Sequence, residues 1–283
     1  MREVTTGYGL VEGPVWDPAR GLYFSDVMNG GVFLLDRADK VSLAVPKRRG
    51  VGGIALHAAG GLVLGGRDVV HAPLDGGPGR TLLAAADTPG GIGFNDLTTD
   101  RAGRVYVGSL AFRVFGGEAP KPGHLHVIDL DGRARTISDG VMLTNGLGVS
   151  PDGTRLYHSD ARAHIVRVYD VGADGSVGPW RVFADLGEDH VPDGLKVAAD
   201  GSVWVADAHG GRVAVYGADG AHRMDLAVPL PMVTSVCFAG DDLRDLYVVS
   251  GSRGGPRENC GTVFRTRVDT PGLALAPARV ALS

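Results

Sequence analysis

Residues 11–26 read VEGPVWDPARGLYFSD. An apolar run, a turn holding Pro and Gly, and a second apolar run follow one another, as two short antiparallel strands would. The second run returns along the chain as LYFSD (22–26), LVLGG (62–66), VYVGS (105–109), LYHSD (156–160), VWVAD (203–207) and LYVVS (246–250). Successive starts lie 40, 43, 51, 47 and 43 residues apart. Each run is preceded by a partner that ends in a turn, such as GLGVSPDGT (146–154) or GLKVAADGS (194–202). Most are followed by a third run, such as GHLHVIDLDG (123–132) or GGRVAVYGADG (210–220), closed by Asp-Gly, a strong short hairpin signal. A unit of about 40–50 residues with room for four strands has the period of a propeller blade. Six units predict an all-β, six-bladed β-propeller in a single domain over residues 1–283. A β-sandwich need not repeat its turn chemistry six times. Ring closure has two candidates: Glu3–Thr6 beside the strand near Val263–Val268, or the tail Arg279–Leu282 in the same place.

Composition agrees. The chain has 45 Gly and 16 Pro, and no amphipathic helical stretch of more than about two turns. Net charge is −4, and the single basic run, Lys47–Arg49, reads as solvated surface. A nucleic-acid groove needs a broad basic face. No apolar stretch approaches the ~20 residues of a membrane span. The start, MREVTTGYG, has no apolar leader segment. Cys237 and Cys260 are too few for a disulfide framework, and Cys237 reads as a small buried residue. The expectation is a soluble, cytoplasmic protein, monomeric or a small homo-oligomer, with neither nucleic-acid nor membrane partners.

Glu12 is out of place in an apolar run until the same position is found in the other units. Glu12, Gly53, Asn95 and Asp193 lie 11 residues before the second residue or centre of their following runs (Tyr23, Leu64, Tyr106 and Trp204). Asn145 and Ser235 lie 12 residues before Tyr157 and Tyr247. In a propeller these six fall at the mouth of the innermost strands, where they face the central channel. Two carboxylates and two carboxamides converging there would repel or stay unsatisfied without a partner. A divalent cation satisfies them, and oxygen donors suit a hard ion such as Ca²⁺, Mg²⁺ or Mn²⁺. No His or Cys occupies the ring, which argues against a structural Zn²⁺ site. Taken singly, Asn145-Gly146, Asp193-Gly194 and Asn95-Asp96 read as turn residues; the shared repeat position is what argues for a metal-binding channel.

Other motifs are absent or plain. Gly7-Tyr8-Gly9 fails the dinucleotide fingerprint, and there is neither a G-x-S-x-G elbow nor an H-E-x-x-H pair. His190 and His209 could reach the channel mouth, though each reads more simply as a loop or strand residue. Trp16, Trp180 and Trp204 read as packing between blades.

The segments EGPVWDP, GFNDLTTDRAGRVYVGS, TNGLGVSPDGTRLYHSD, VPDGLKVAADGSVWVADAHGGRV and TSVCF resemble, in order and across nearly the whole chain, the SMP-30/gluconolactonase/luciferin-regenerating-enzyme-like family. The resemblance implies the same six-bladed propeller, one divalent cation in the channel (Ca²⁺, Mg²⁺, Mn²⁺ or Zn²⁺), and hydrolysis of a small-molecule lactone or ester. It implies Glu12, Asn145 and Asp193 as metal ligands, with Asp193 also the catalytic acid or base. It implies Asn95 as a substrate-binding residue, Phe112–Gly123 as a lid, and Glu118 as a lid carboxylate at the substrate. One departure stands out. Sugar-lactone hydrolases of the family often read R-x-N-D-G, whereas this chain reads Gly93-Phe94-Asn95-Asp96-Leu97. Gly offers none of arginine's five donors. That favours a less polar lactone or ester, or another reaction on the same scaffold. A lyase, an isomerase or other biosynthetic enzyme, and a non-catalytic metal- or ligand-binding propeller, are the alternatives.

Overall fold

The computed structural model describes residues 1–282 and arranges them in six antiparallel four-stranded sheets. The first blade is Val11–Asp17, Gly21–Asp26, Val32–Asp36 and Val41–Val45, ordered from the channel outward. The next four blades repeat that plan, and their inner strands are Ile54–Leu56, Gly93–Thr99, Thr144–Val149 and Pro192–Val197. The sixth is built from Val233–Ala239, Asp245–Ser250, Gly261–Arg267 and, on its outer edge, the N-terminal strand Arg2–Tyr8. Glu3 pairs with Phe264 and Thr6 with Thr262, so the first of the two closures is the one adopted.

The C-terminal tail does something else. It runs across the lower face of the ring. Gly272 N–H donates to Leu243 O (2.8 Å), Ala278 N–H to Leu56 O (2.7 Å) and Arg279 N–H to Gly103 O (2.8 Å). Ala278 and Val280 are buried.

The recurring second runs are blade centres. Leu22–Asp26, Val105–Ser109 and Val203–Asp207 are buried at every position. A strand covered on both faces carries a near-continuous apolar run, which is why these segments do not alternate. Outer strands such as His222–Ala227 are mostly exposed. The Asp-Gly signals are one repeated turn. Asp131, Asp152, Asp174, Asp200 and Asp219 each accept through Oδ1 the N–H two residues on. The glycine between takes φ of 78–84°, where a Cβ is disfavoured.

Trp16 stacks on Tyr247 of the sixth blade, and Trp204 meets Phe238 edge-on. Trp180 departs from expectation. It is 42% exposed and covers the Arg167 guanidinium of its own blade at 4.2 Å. It precedes an outermost strand, where no neighbouring blade remains to pack against. Among the described residues no helix is long and apolar enough to cross a membrane.

Candidate active site

The inner strands lose register where the ring residues sit. Glu12 faces Ser25, but the next pair is Val15 with Tyr23. Equivalent irregularities fall at Phe94–Leu97, Thr144–Leu147, Pro192–Leu195 and Val233–Ser235. A bulge re-aims a side chain out of the strand's alternation. Here it turns Glu12, Asn95, Asn145 and Asp193 toward the floor of one cavity of about 520 Å³ at the upper end of the channel. The other two ring positions do not reach it. Gly53 has no side chain, and a Cβ there would meet Leu97 N and lie 2.8 Å from Asp96 Oδ1. Ser235 is buried against the backbone of Gly194.

Three buried aspartates fix the approach to this floor. They end the second strands of the blades that carry Glu12, Asn145 and Asp193. Asp26 accepts the N–H groups of Gly9 (2.9 Å) and Leu10 (3.3 Å). Asp160 accepts those of Met142 and Leu143, both at 3.0 Å, and Arg167 Nη2 at 2.6 Å. Asp207 accepts the N–H of Val191 at 3.1 Å and Arg212 Nε at 3.1 Å. Each carboxylate thus ties down the residues just before an inner strand. Charge-assisted bonds of this kind are about twice as strong as neutral ones.

The floor is acidic. Burial, then the charges of Asp193 and Asp96, hold the Glu12 carboxyl well above the usual carboxylate range. Burial and Asp96 do the same to Asp193. Asp96, also raised by burial, is the residue that sequence reasoning missed as a member of this cluster. Its Oδ1 accepts Leu97 N–H at 2.8 Å. The pair Asn95-Asp96 reads as a loop cap, and only the bulge reveals that both side chains leave the strand inward. Lys196 supplies the positive charge acting on Glu12 and Asp96 from below. Asn95 Nδ2 donates to Asn145 Oδ1 (2.6 Å) and to Thr144 O (2.8 Å), which fixes the carboxamide of Asn145. Thr144 Oγ1 in turn lies 2.7 Å from Nε2 of the buried His158.

Among the described residues no group of three or more His, Cys, Asp or Glu side chains is arranged to hold a metal. The donor set that could do so mixes types: the carboxylates of Glu12 and Asp193 and the carboxamide of Asn145. Two crowded carboxylates with no cationic hydrogen-bond partner, plus a neutral oxygen, match a hard divalent ion in charge and chemistry.

The roof is the segment after Val105–Leu110. Phe112, Val114 and Phe115 line the cavity, with Phe112 buried and Phe115 58% exposed. Glu118 lies outside the lining. It accepts Arg113 N–H at 3.0 Å and steadies the lid's turn. His209 lines the cavity, whereas His190 does not and sits with Nδ1 2.6 Å from Asp207 Oδ2.

Fold and floor together define a six-bladed propeller with an acidic pocket at one end of its channel. Residues 10–252 match the SMP-30/gluconolactonase/LRE-like region, and the chain belongs to that family. It is 31% identical over 277 residues to the 6-deoxy-6-sulfogluconolactonase of Pseudomonas putida, covering 94% of this chain and 93% of that one. It is 32% identical over 285 residues to a pentonolactonase of Haloferax volcanii, covering 96% and 95%. The calcium-binding protein regucalcin of Agrobacterium tumefaciens superposes with a TM-score of 0.86 at 22% identity, over 99% and 97% of the chains.

Proposed function

We propose that the protein is a divalent-metal-dependent lactonase. The observation that carries this reading is the convergence of Glu12, Asn145 and Asp193, with Asn95, on the floor of one roofed cavity. Relatives bearing the names of sugar lactonases support the substrate class. Glu12, Asn145 and Asp193 would hold a divalent cation, which when bound would supply Lewis acidity for a lactone carbonyl. Asp193 takes a proton from the attacking water as its oxygen bonds to the carbonyl carbon. Asp193 then returns that proton to the ring oxygen as the ring C–O bond breaks, leaving a hydroxy acid. Asn95 keeps Asn145 oriented, so the floor needs no rearrangement during the reaction. Phe112 and Phe115 exclude bulk water from above.

The test is hydrolysis of sugar, aliphatic and aromatic lactones, followed by a pH indicator. It is run on chelated protein and again with Ca²⁺, Mg²⁺, Mn²⁺ or Zn²⁺ restored. Metal-restored turnover is expected, and Asp193→Ala should lose it while keeping the native circular dichroism. Turnover that survives chelation or that substitution contradicts the assignment.

A further inference from the structure

Two arginines at the cavity mouth carry charges that the reaction above leaves unused. Arg67 follows Gly66, whose backbone exchanges two hydrogen bonds with Phe94, at 3.1 and 2.6 Å. That pairing sets Arg67 beside Gly93: a Cβ on Gly93 would lie 3.8 Å from Arg67 Cα. Gly93 brings no side chain to the wall, and Arg67 of the neighbouring blade lines the cavity beside it. Arg253 comes from the sixth blade's loop between Asp245–Ser250 and Gly261–Arg267, with its guanidinium 5.6 Å from the Phe115 ring of the lid. Both arginines line the cavity, and both are exposed. Among the described residues neither guanidinium has a hydrogen-bond or ion-pair partner. Arg113, the third arginine of the lining, differs: its Nε is 3.7 Å from Glu118 Oε1, within the lid.

The vertical order of charge matters. The floor carries Glu12 and Asp193, whose charges the cation takes up, and it receives the lactone carbonyl. The middle wall is apolar, with Phe94, Phe112, Leu143 and Met232. Among the described residues, the arginines of this lining stand at the rim. A ligand whose reactive carbonyl goes down and whose negative group stays up satisfies all three levels. Guanidinium offers a planar fork that fits a carboxylate, sulfonate or phosphate with two hydrogen bonds.

We propose that Arg67 and Arg253 select lactones that carry an anionic substituent, holding that group at the rim while the lactone carbonyl reaches the floor. This rests on the lactonase reading. Opposed cations at a cavity mouth also raise the encounter rate of an anionic substrate at low salt.

The experiment compares a γ-butyrolactone bearing a ring carboxylate with the same lactone bearing the neutral carboxamide, using metal-loaded protein. The carboxylate should have a kcat/KM at least about tenfold higher, through KM, and added salt should erode the difference. Arg67→Gln and Arg253→Gln should each bring the ratio of the two toward one. Both side chains are exposed, so native circular dichroism is expected of the variants. Hydrolysis of both lactones with no charge preference, or a preference untouched by either substitution, overturns the inference and leaves the lactonase reading standing. If neither lactone is hydrolysed, the wider lactone panel decides the lactonase reading on its own. Equilibrium titration of the same two compounds then decides this inference. Tighter binding of the carboxylate that is lost in Arg67→Gln upholds it, and equal binding overturns it.

Discussion

Glu12 shows what one residue costs and what it is kept for. With no cation bound, Glu12 sits beside Asp193 and Asp96 in the acidic floor, where those two raise its proton affinity and Asp96 raises that of Asp193. Removing one like charge should relieve that repulsion. Glu12→Gln is thus expected to raise the Tm of chelated protein while abolishing the Tm increase that wild type shows on cation titration. A variant that still responds to the cation would remove Glu12 from the ligand set. His158 offers a second test, read from pH. Burial, then the charge of Arg167, pushes its imidazole down to about 3. Unfolded, it titrates near 6.5. Above that value neither state is protonated and the full contribution is present. As pH falls below it, the unfolded chain takes the proton first and stability is lost, down toward pH 3. Between pH 7 and pH 5 this one group should cost about 2 kcal/mol. Urea unfolding of wild type and His158→Gln at both values should show that part of the loss missing from the variant. Equal losses would mean that His158 is not held neutral.

At the scale of the strand and turn, the approach loops depend on buried carboxylates. Asp160 binds two backbone N–H groups and the buried Arg167 guanidinium, side chains 0% and 4% exposed. Asp160→Ala leaves that guanidinium with backbone carbonyls but no counter-ion and should destabilise by about 3–5 kcal/mol, read from the urea midpoint. A loss below about 1 kcal/mol, the worth of a surface pair, would contradict the role. Asp160, Asp26 and Asp207 also show why part of the site was hidden in the sequence. They were visible as the last letters of LYHSD, LYFSD and VWVAD, but a repeat count does not say which backbone groups a carboxylate will reach. The ring position was legible because six units place it 11 or 12 residues before the following run. The inward turn of Asp96 was not, because a bulge breaks the alternation on which strand reading relies. Trp180 was misplaced for a related reason. Pattern marks a large apolar side chain, but not whether its strand is inner or outermost. Glu118 lies in a loop with no periodicity to place it, and its partner proves to be the lid's own backbone.

Across the whole molecule the propeller's period was readable from its turns, whereas the path of the tail was not. Residues 270–282 have no strand alternation, and their partners belong to four different blades. Gly272 bonds to Leu243, Ala199 to Pro271, Ala278 to Leu56, and Arg279 to Gly103. The strap closes a second, apolar cavity of about 120 Å³ at the lower end of the channel, where Leu273–Pro277 face Val15, Ile54, Leu97 and Phe238. Lys196 lines that cavity beneath the acidic floor, so the strap also covers the cation that acts on Glu12 and Asp96. Ending the chain after Asp269 should expose those side chains and Val280's site. Losing the burial of one or two such side chains costs about 3 kcal/mol. For a chain of this size that lowers Tm by about 6–12 °C. The upper cavity is built from inner strands and the lid, none of which the strap contributes, so the cation-induced rise in Tm should persist in the shortened chain. Thermal melts of the full and shortened proteins, chelated and cation-loaded, separate the two effects. A shortened chain with unchanged Tm would show that the strap does not brace the ring. One that folds but no longer responds to the cation would show that the lower end of the channel belongs to the site as much as the upper end does.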